Sequence, residues 1–274
     1  MDFMIKKIVF AGCSMTAGAE LYQEKYVDNY ANLEFDDAVK AFTRNDETRA
    51  YNLQHSYPSI VGNILGVSTE NIAIDGISNK EIAMRALSHF PNDWYEDTVA
   101  VIQITTHNRM LVHFEENDER YLARSYVIQP VKFHGLSLRR SNLLLETYLE
   151  FMSESLLMIE NYMCVLYAVA ALKAKNISTF VIKIAENELN QPRNEPHENA
   201  NSNKPIYINE RHPLARDEIS EKLIKDFESN QLSTCVLETM VSQANPYLPQ
   251  WHFNHQSHHQ IAEHISEKIK CLNL

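Results

Sequence analysis

Two residues near opposite ends of the sequence, Ser14 and His252, are of the types that carry out nucleophilic catalysis. Ser14 follows Gly12 by two positions, just after the apolar, β-branched run of residues 5–11 stops. A serine hydroxyl is a weak nucleophile until a neighbouring imidazole takes its proton. His252 lies in the histidine-rich segment 251–259, ahead of the last amphipathic run. We therefore interpret Ser14 as a candidate nucleophile and His252 as the imidazole that it needs.

Alternating strands and helices must bring these two residues together. Short apolar runs predict buried strands, and longer runs with apolar residues at helical spacing predict helices. Strands are predicted at 5–11, 71–74, 98–105, 178–185 and 232–237, and helices at 57–66, 79–88, 141–175, 214–228 and 255–270. This alternation predicts a single domain over 1–274, with a parallel sheet between two helical layers. Two polar excursions interrupt it, at about 19–55, with short helical pieces around 36–42, and at 186–212.

The carboxyl ends of the strands are where an open parallel sheet places its chemistry. Gly12 and Gly76 directly follow predicted strands, and a glycine there lets backbone N–H groups turn outward. Each glycine also fits a plain tight turn, and Ser14 also fits a helix N-cap. Residues 14–18 further resemble the phosphate-binding loop of flavodoxin-type FMN proteins. His252 favours the nucleophile interpretation, because a flavin site does not require it.

The histidines near the C-terminal end allow a metal alternative. His255 and His259 are spaced by one helical turn, and His252 and His258 are close by, so that the group could bind a transition metal. No HExxH glutamate and no cysteine partner accompanies them. We therefore predict one functional histidine in a polar helix start, with no metal and no other cofactor.

Composition narrows the class of protein. Hydrophobic residues make up 45% of the 274, and the net charge of −11 argues against a nucleic-acid partner, which needs clustered Lys and Arg. The four cysteines are scattered without a CxxC pair, which excludes zinc ribbons and fits a reducing compartment. The longest apolar run, 163–172, is about half of a membrane span. We expect a cytoplasmic protein without signal peptide or membrane partner, and its oligomeric state stays open.

Four blocks of the sequence resemble those of the SGNH (GDSL-type) hydrolase superfamily. They are Gly-Cys-Ser-Met-Thr at 12–16, where Cys13 replaces the aspartate of Gly-Asp-Ser-x-Thr, then 71–79, then 105–108 in place of Gly-x-Asn-Asp, and lastly His252-Phe253-Asn254 followed by Ser257-His258. The resemblance implies an SGNH hydrolase fold. That fold class is α/β, a three-layer α/β/α sandwich with a flavodoxin-like parallel five-stranded sheet in the order 2-1-3-4-5.

The resemblance also implies a mechanism. Ser14 attacks the acyl carbon of an ester, formed by an O-acetyl or other short acyl group on a small molecule or glycan. His252 acts as general base and then as general acid. The backbone N–H groups of Ser14 and Gly76, with the side-chain amide of Asn108, form the oxyanion hole. An acyl-enzyme forms and water releases it.

Two departures from the family pattern stand out. The family's acid normally precedes the histidine by two or three residues, yet those positions hold Gln250 and Pro249. The acid is therefore missing, supplied from elsewhere in the chain, or replaced by Gln250 or a backbone carbonyl. In the third block, His107 stands in register with the family's asparagine, and we prefer Asn108 for its donor chemistry. A catalytically weak or inactive protein of this fold, binding a glycan or protein, is the alternative.

Overall fold

The computed structural model describes residues 5–90, 97–105, 109–116, 120–127, 154–183, 235–242, 246–250 and 252–271. Several sequence-based predictions lie outside these residues: His107, Asn108, the excursion at 186–212 and the helix at 214–228. The single-domain assignment over 1–274 stays a prediction.

The described elements alternate between strands and helices over most of their length. The strands are β1 (Lys7–Ala11), β2 (Ser68–Asn71), β3 (Thr98–Gln103), β4 (Arg109–Glu116), β5 (Arg120–Val127), β6 (Ser178–Lys183) and β7 (Cys235–Val236). The helices are α1 (Ser14–Ala17), α2 (Leu21–Tyr26), α3 (Phe35–Ala41), α4 (Asp46–His55), α5 (Tyr57–Leu65), α6 (Asn79–His89), α7 (Glu154–Ala174) and α8 (His255–Lys270). Two short 3₁₀ turns cover Tyr30–Asn32 and Leu237–Met240.

Five of the strands form one parallel sheet in the order β2-β1-β3-β6-β7. Counted along the chain, these strands stand in the order 2-1-3-4-5, which confirms the predicted flavodoxin-like arrangement. The central strand β3 is buried at every position. Because the strands are parallel, the residues that follow β1 and β3 leave the sheet at the same edge.

Side chains at successive positions of a strand pack into two separate cores, one on each face of the sheet. In β1, Val9 packs with α6 and α7 on one face, whereas Ile8 and Phe10 pack with α5 and α8 on the other. β3 divides in the same way, because side chains of a strand alternate between its two faces. The result is the predicted three-layer α/β/α sandwich.

The second strand differs from its prediction. Residues 71–74 are predicted to form it, but β2 is the polar segment Ser68–Asn71. β2 is an edge strand, so its side chains are only partly buried and carry no apolar pattern. After β2 the N–H groups of Ile72 and Ile74 still donate to the carbonyls of Phe10 and Gly12, so the predicted segment runs beside the end of β1 although it is not part of the strand.

Helix predictions succeed where a helix has a clear start and stop. The predicted helix at 57–66 is α5, with Pro58 in its first turn and Gly66 left-handed at its C-cap. The predicted helix at 79–88 is α6, and its N-cap is Ser78, whose side chain accepts from the N–H of Glu81, 3.3 Å. The excursion at 19–55 holds α2, the expected α3 and the unpredicted α4. The antiparallel hairpin of β4 and β5 was also not predicted.

Candidate active site

The turn after β1 is built around a glycine that cannot carry a side chain. A Cβ on Gly12 would lie 2.7 Å from the Cβ of Thr16, closer still to the Thr16 hydroxyl, and 3.0 Å from Oε1 of Gln103. Real Cβ atoms do not approach other carbons so closely. The glycine therefore lets α1 fold back directly onto the end of the strand, and α1 begins at Ser14.

A buried polar network holds this turn. Oε1 of Gln103 accepts from the backbone N–H of Cys13, 3.2 Å, and from the hydroxyl of Thr16, 2.9 Å. The hydroxyl of Tyr57 in turn lies 2.8 Å from that of Thr16, and burial raises the pKa of Tyr57. Thr16 is completely buried and its hydroxyl is engaged on both sides. This arrangement does not favour the FMN alternative, which needs the hydroxyls of this loop for a phosphate.

The variant Gly12→Ala tests the turn. We expect it to lower the free energy of unfolding by about 1–3 kcal/mol, because an added methyl overpacks a site bounded by Thr16 and Gln103. The measurement is chemical denaturation followed by circular dichroism. Gly12→Ala should also reduce any activity of Ser14, since the start of α1 must move.

Gly66→Ala is the matched control, because Gly66 is left-handed at φ +66° but has nothing within 4 Å of an added Cβ. Its destabilisation should come only from backbone strain, roughly 1–2 kcal/mol, with activity retained. A Gly12→Ala protein as stable and as active as the wild type would contradict the close approach.

Ser14 lies at the carboxyl edge of the sheet, in the first position of α1. Its side chain is 6% exposed, and its Oγ has a long contact of 4.0 Å to Sγ of Cys13. The carbonyl of Ser14 accepts from the N–H of Ala19, 3.0 Å, which closes the single turn of α1. Within the residues that the structure describes, no hydrogen bond joins Ser14 Oγ to His252.

His252 is held by a carboxylate that sequence reasoning did not identify. Nδ1 of His252 lies 2.6 Å from Oε2 of Glu20, and the backbone N–H of His252 donates to the same oxygen at 3.3 Å. Because an ionised carboxylate only accepts, this contact favours the tautomer of a neutral imidazole that carries its proton on Nδ1 and its lone pair on Nε2. The His252 side chain is 17% exposed, and that of Glu20 is fully buried.

The second oxygen of Glu20 is bound as well. Oε1 accepts from the hydroxyl of Tyr30, 2.6 Å, and from the backbone N–H of Gln250, 3.1 Å. Burial, with Glu20 as the second cause, raises the pKa of Tyr30. The side chain of Gln250 donates to Tyr30, 3.0 Å, and towards the carbonyl of Ala38, 3.4 Å. The alternative that the Gln250 side chain orients His252 is therefore wrong, because the carboxylate of Glu20 contacts Nδ1 of His252 in its place.

The other histidines of this region have separate partners. Nδ1 of His255 lies 2.7 Å from Glu24, one turn after Glu20, and Nδ1 of His258 accepts from the N–H of Tyr57, 3.0 Å. In the part of the chain that the structure describes, no group of three histidine, cysteine or carboxylate side chains gathers as metal ligands would. His252, His255 and His258 thus each form a hydrogen bond with a different residue.

The second block, residues 71–79, lies at the same edge of the sheet, where the N–H of Ile74 donates to the carbonyl of Gly12. Gly76 is left-handed at φ +78°, with open space where a Cβ would stand. Asn79 makes a reciprocal pair with Thr105, accepting from its N–H at 2.7 Å and donating to its carbonyl at 2.8 Å. This pair ties the start of α6 to the chain just beyond β3. The next residues include His107 and Asn108, outside the described ranges, so the choice between them stays a prediction.

Within the described ranges, no helix is both long enough and apolar enough to cross a bilayer.

No protein-family model and no curated protein matches the chain. Solved structures do match, among them a carbohydrate esterase of family two from Clostridium thermocellum in complex with cellohexaose. It covers 98% of this chain and 64% of its own, at 13% identity and a TM-score of 0.46. An acetyl xylan esterase from Butyrivibrio proteoclasticus matches with the same TM-score and coverages at 11% identity. The chain thus spans just under two thirds of the length of these two esterases.

A member of the lipolytic G-D-S-L family from Veillonella parvula matches over nearly its whole length. The match covers 97% of this chain and 100% of that one, at 11% identity and a TM-score of 0.43. At such identities a likeness concerns the fold and not the reaction. The SGNH (GDSL-type) assignment therefore rests on the sequence blocks and stays a prediction, and the described sheet has the strand order 2-1-3-4-5 that it implies.

Proposed function

We propose that the protein is a serine hydrolase that cleaves an ester, of an O-acetyl or other short acyl group, through an acyl-enzyme. This proposal rests above all on one contact, in which Nδ1 of His252 is bound to a buried carboxylate. A ring held in this way presents the basic Nε2 outward, the state that a general base needs. That carboxylate belongs to Glu20, which follows the single turn of α1 that Ser14 begins.

The proposed reaction has two halves. In the first, Oγ of Ser14 attacks the acyl carbon while Nε2 of His252 takes the hydroxyl proton. The tetrahedral intermediate collapses, the ester C–O bond breaks, and the leaving alcohol receives the proton from His252. In the second half, His252 takes a proton from water, the resulting hydroxide attacks the acyl-enzyme, and Ser14 leaves with that proton. The acid product is released and the enzyme is restored.

The oxyanion of each tetrahedral intermediate needs donors at the same edge of the sheet. The backbone N–H groups of Ser14 and Gly76 and the side chain of Asn108 are the proposed donors. The open space beside Gly76 supports its part, because an acyl oxygen could approach its backbone. Where such donors have been removed from other enzymes, each was worth about 10²–10³ in rate.

A fluorophosphonate probe tests the proposal directly. It should label the wild-type protein at Ser14, as located by peptide mass spectrometry, and fail to label Ser14→Ala. Ser88→Ala, at an exposed position of α6, is the control and should label like the wild type. A wild-type protein that stays unlabelled and does not hydrolyse p-nitrophenyl acetate, or labelling that persists in Ser14→Ala, would contradict the proposal.

One observation favours the alternative of a non-catalytic binding protein. Among the described residues, Ser14 Oγ and His252 are not joined by a hydrogen bond. Catalytic hydrogen bonds are often long in free enzymes and tighten when substrate binds, which is why the esterase remains our proposal. The same labelling experiment decides between the two, because a binding protein has no activated serine for the probe.

A further inference from the structure

We infer that Glu20 is the positioning acid of the active site, supplied from the segment just after the nucleophile and not from the segment before the histidine. The kinetic part of this inference rests on the proposed function, whereas the geometric part stands on contacts alone. Three features of Glu20 carry it: its two contacts with His252, its set of hydrogen-bond donors, and its backbone conformation.

The first feature is that a single oxygen holds both the ring and the backbone of His252. Oε2 of Glu20 lies 2.6 Å from Nδ1 and 3.3 Å from the backbone nitrogen of His252. One contact fixes the direction of the imidazole and its tautomer, and the other fixes the chain from which it projects.

The second feature is the environment of the buried carboxylate. Its other oxygen accepts from the Tyr30 hydroxyl and from the backbone N–H of Gln250. Besides Nδ1 of His252, the carboxyl group of Glu20 accepts from one hydroxyl and from two backbone N–H groups, so both of its oxygens are engaged. Because Tyr30 and Gln250 also bond to each other, the carboxylate is enclosed by groups that are themselves fixed.

The third feature is the backbone at Glu20. This residue is left-handed, at φ +73°, although it is not a glycine. That conformation is disfavoured for residues with a Cβ and persists where the surroundings over-determine it. Here it lies between α1 and α2, at the N-cap of α2, and the Glu20 side chain makes no capping hydrogen bond there. The strained N-cap residue of α2 therefore uses its side chain to contact His252 and not to cap the helix.

A neighbouring pair gives a matched comparison. Glu24 holds the Nδ1 and the backbone N–H of His255 at 2.7 and 2.9 Å, in the same pattern. Glu24 is partly exposed, and Nε2 of His255 lies 3.4 Å from the hydroxyl of Tyr51. In contrast, Nε2 of His252 has no hydrogen-bond partner among the described residues. Only the His252 pair has its outer nitrogen available for a proton from Ser14.

The kinetic test compares Glu20→Gln with Glu24→Gln on p-nitrophenyl acetate. Glutamine keeps the size of the side chain but cannot hold the Nδ1 proton as an anion does. We expect Glu20→Gln to lower kcat by about 10⁴-fold with KM nearly unchanged, since loss of the acid in a full triad has an effect of this order. Glu24→Gln should keep both constants within about threefold. Equal kcat values for Glu20→Gln and the wild type would overturn the inference.

A spectroscopic measurement separates this inference from the proposed function. In proton NMR, the strong hydrogen bond to a carboxylate moves the Nδ1 proton of an imidazole far downfield. The signal assigned to His252, by its loss in His252→Gln, should disappear or move upfield in Glu20→Gln and persist in Glu24→Gln. If the wild type takes no fluorophosphonate, the proposed function fails, and this signal still decides whether Glu20 holds the imidazole. An unchanged signal in Glu20→Gln overturns the inference.

Tyr30→Phe keeps the test informative if Glu20→Gln does not fold. It removes one donor to Oε1 of Glu20 and leaves the atoms between Glu20 and His252 in place. We expect kcat to fall, by less than in Glu20→Gln, while KM stays nearly unchanged and the Nδ1 proton signal of His252 shifts. A Tyr30→Phe protein with wild-type kcat and an unmoved signal would overturn the inference.

Discussion

Ser14→Ala and His252→Ala should each lower kcat/KM for ester hydrolysis by about 10⁶-fold, and the double variant should lose no more than either single variant. The physical reason is that the nucleophile and its base act as one unit, so that removing either part removes the shared step. The measurement is the initial rate with p-nitrophenyl acetate, at enzyme concentrations high enough to detect the residual rate.

A control variant and the double variant make the result of this experiment unambiguous. His259→Ala replaces an exposed histidine of α8, the helix that follows His252, and should keep wild-type rates. The double variant separates a joint role from two independent ones, because independent losses would multiply. A His252→Ala protein that retains at least a tenth of the wild-type rate would show that His252 is not the base.

Most strands of the sheet could be predicted because the residues of each strand alone carry the pattern that identifies it. Val9 and Phe10 face opposite cores, and short β-branched runs of this kind are typical of strands buried on both faces. The edge strand β2 could not be found in this way, since its residues need no apolar pattern to pair with β1. The hairpin of β4 and β5 lies beyond β3, where the sequence suggested no strand.

The candidate site divides in a similar way. Ser14 and His252 could be proposed because each follows a predicted element at a recognisable place. Glu20 could not, because its importance depends on a left-handed turn and on the docking of the segment around Gln250, which are tertiary features. One signal was available: Glu20 is the first carboxylate after the nucleophile, following the small residues 17–19. The position of Glu20 in the sequence indicates a role only once the segment around Gln250 is known to pack against it.

The stability of the protein should depend on pH through His258, a buried histidine that takes no part in the proposed reaction. His258 is completely buried, and its Nδ1 accepts from the backbone N–H of Tyr57. A proton on Nδ1 would point at that N–H, and among the described residues the buried Nε2 has no hydrogen-bond partner. Burial, with the nearby His255, His252 and His259 as smaller causes, lowers the pKa of His258 from 6.5 to about 3.

The sign follows from comparing the two states. Between pH 6.5 and about 3, the imidazole of His258 binds a proton in the unfolded chain but not in the folded one. The unfolded state is therefore favoured as the pH falls, and this residue alone should lower the free energy of unfolding by roughly 1 kcal/mol per pH unit over that window. Above pH 6.5 the contribution is fully present and does not change.

His258→Asn isolates this contribution. Its Oδ1 can replace Nδ1 as the acceptor for the N–H of Tyr57, and the amide does not titrate. We expect the variant to be less stable than the wild type at pH 7, because it leaves a cavity, but to lose stability more slowly between pH 6 and 4. Urea denaturation at each pH measures both. His259→Asn, at an exposed position, should keep the wild-type slope. Parallel curves for the wild type and His258→Asn would show that His258 is protonated in the folded protein, against the buried geometry of its ring.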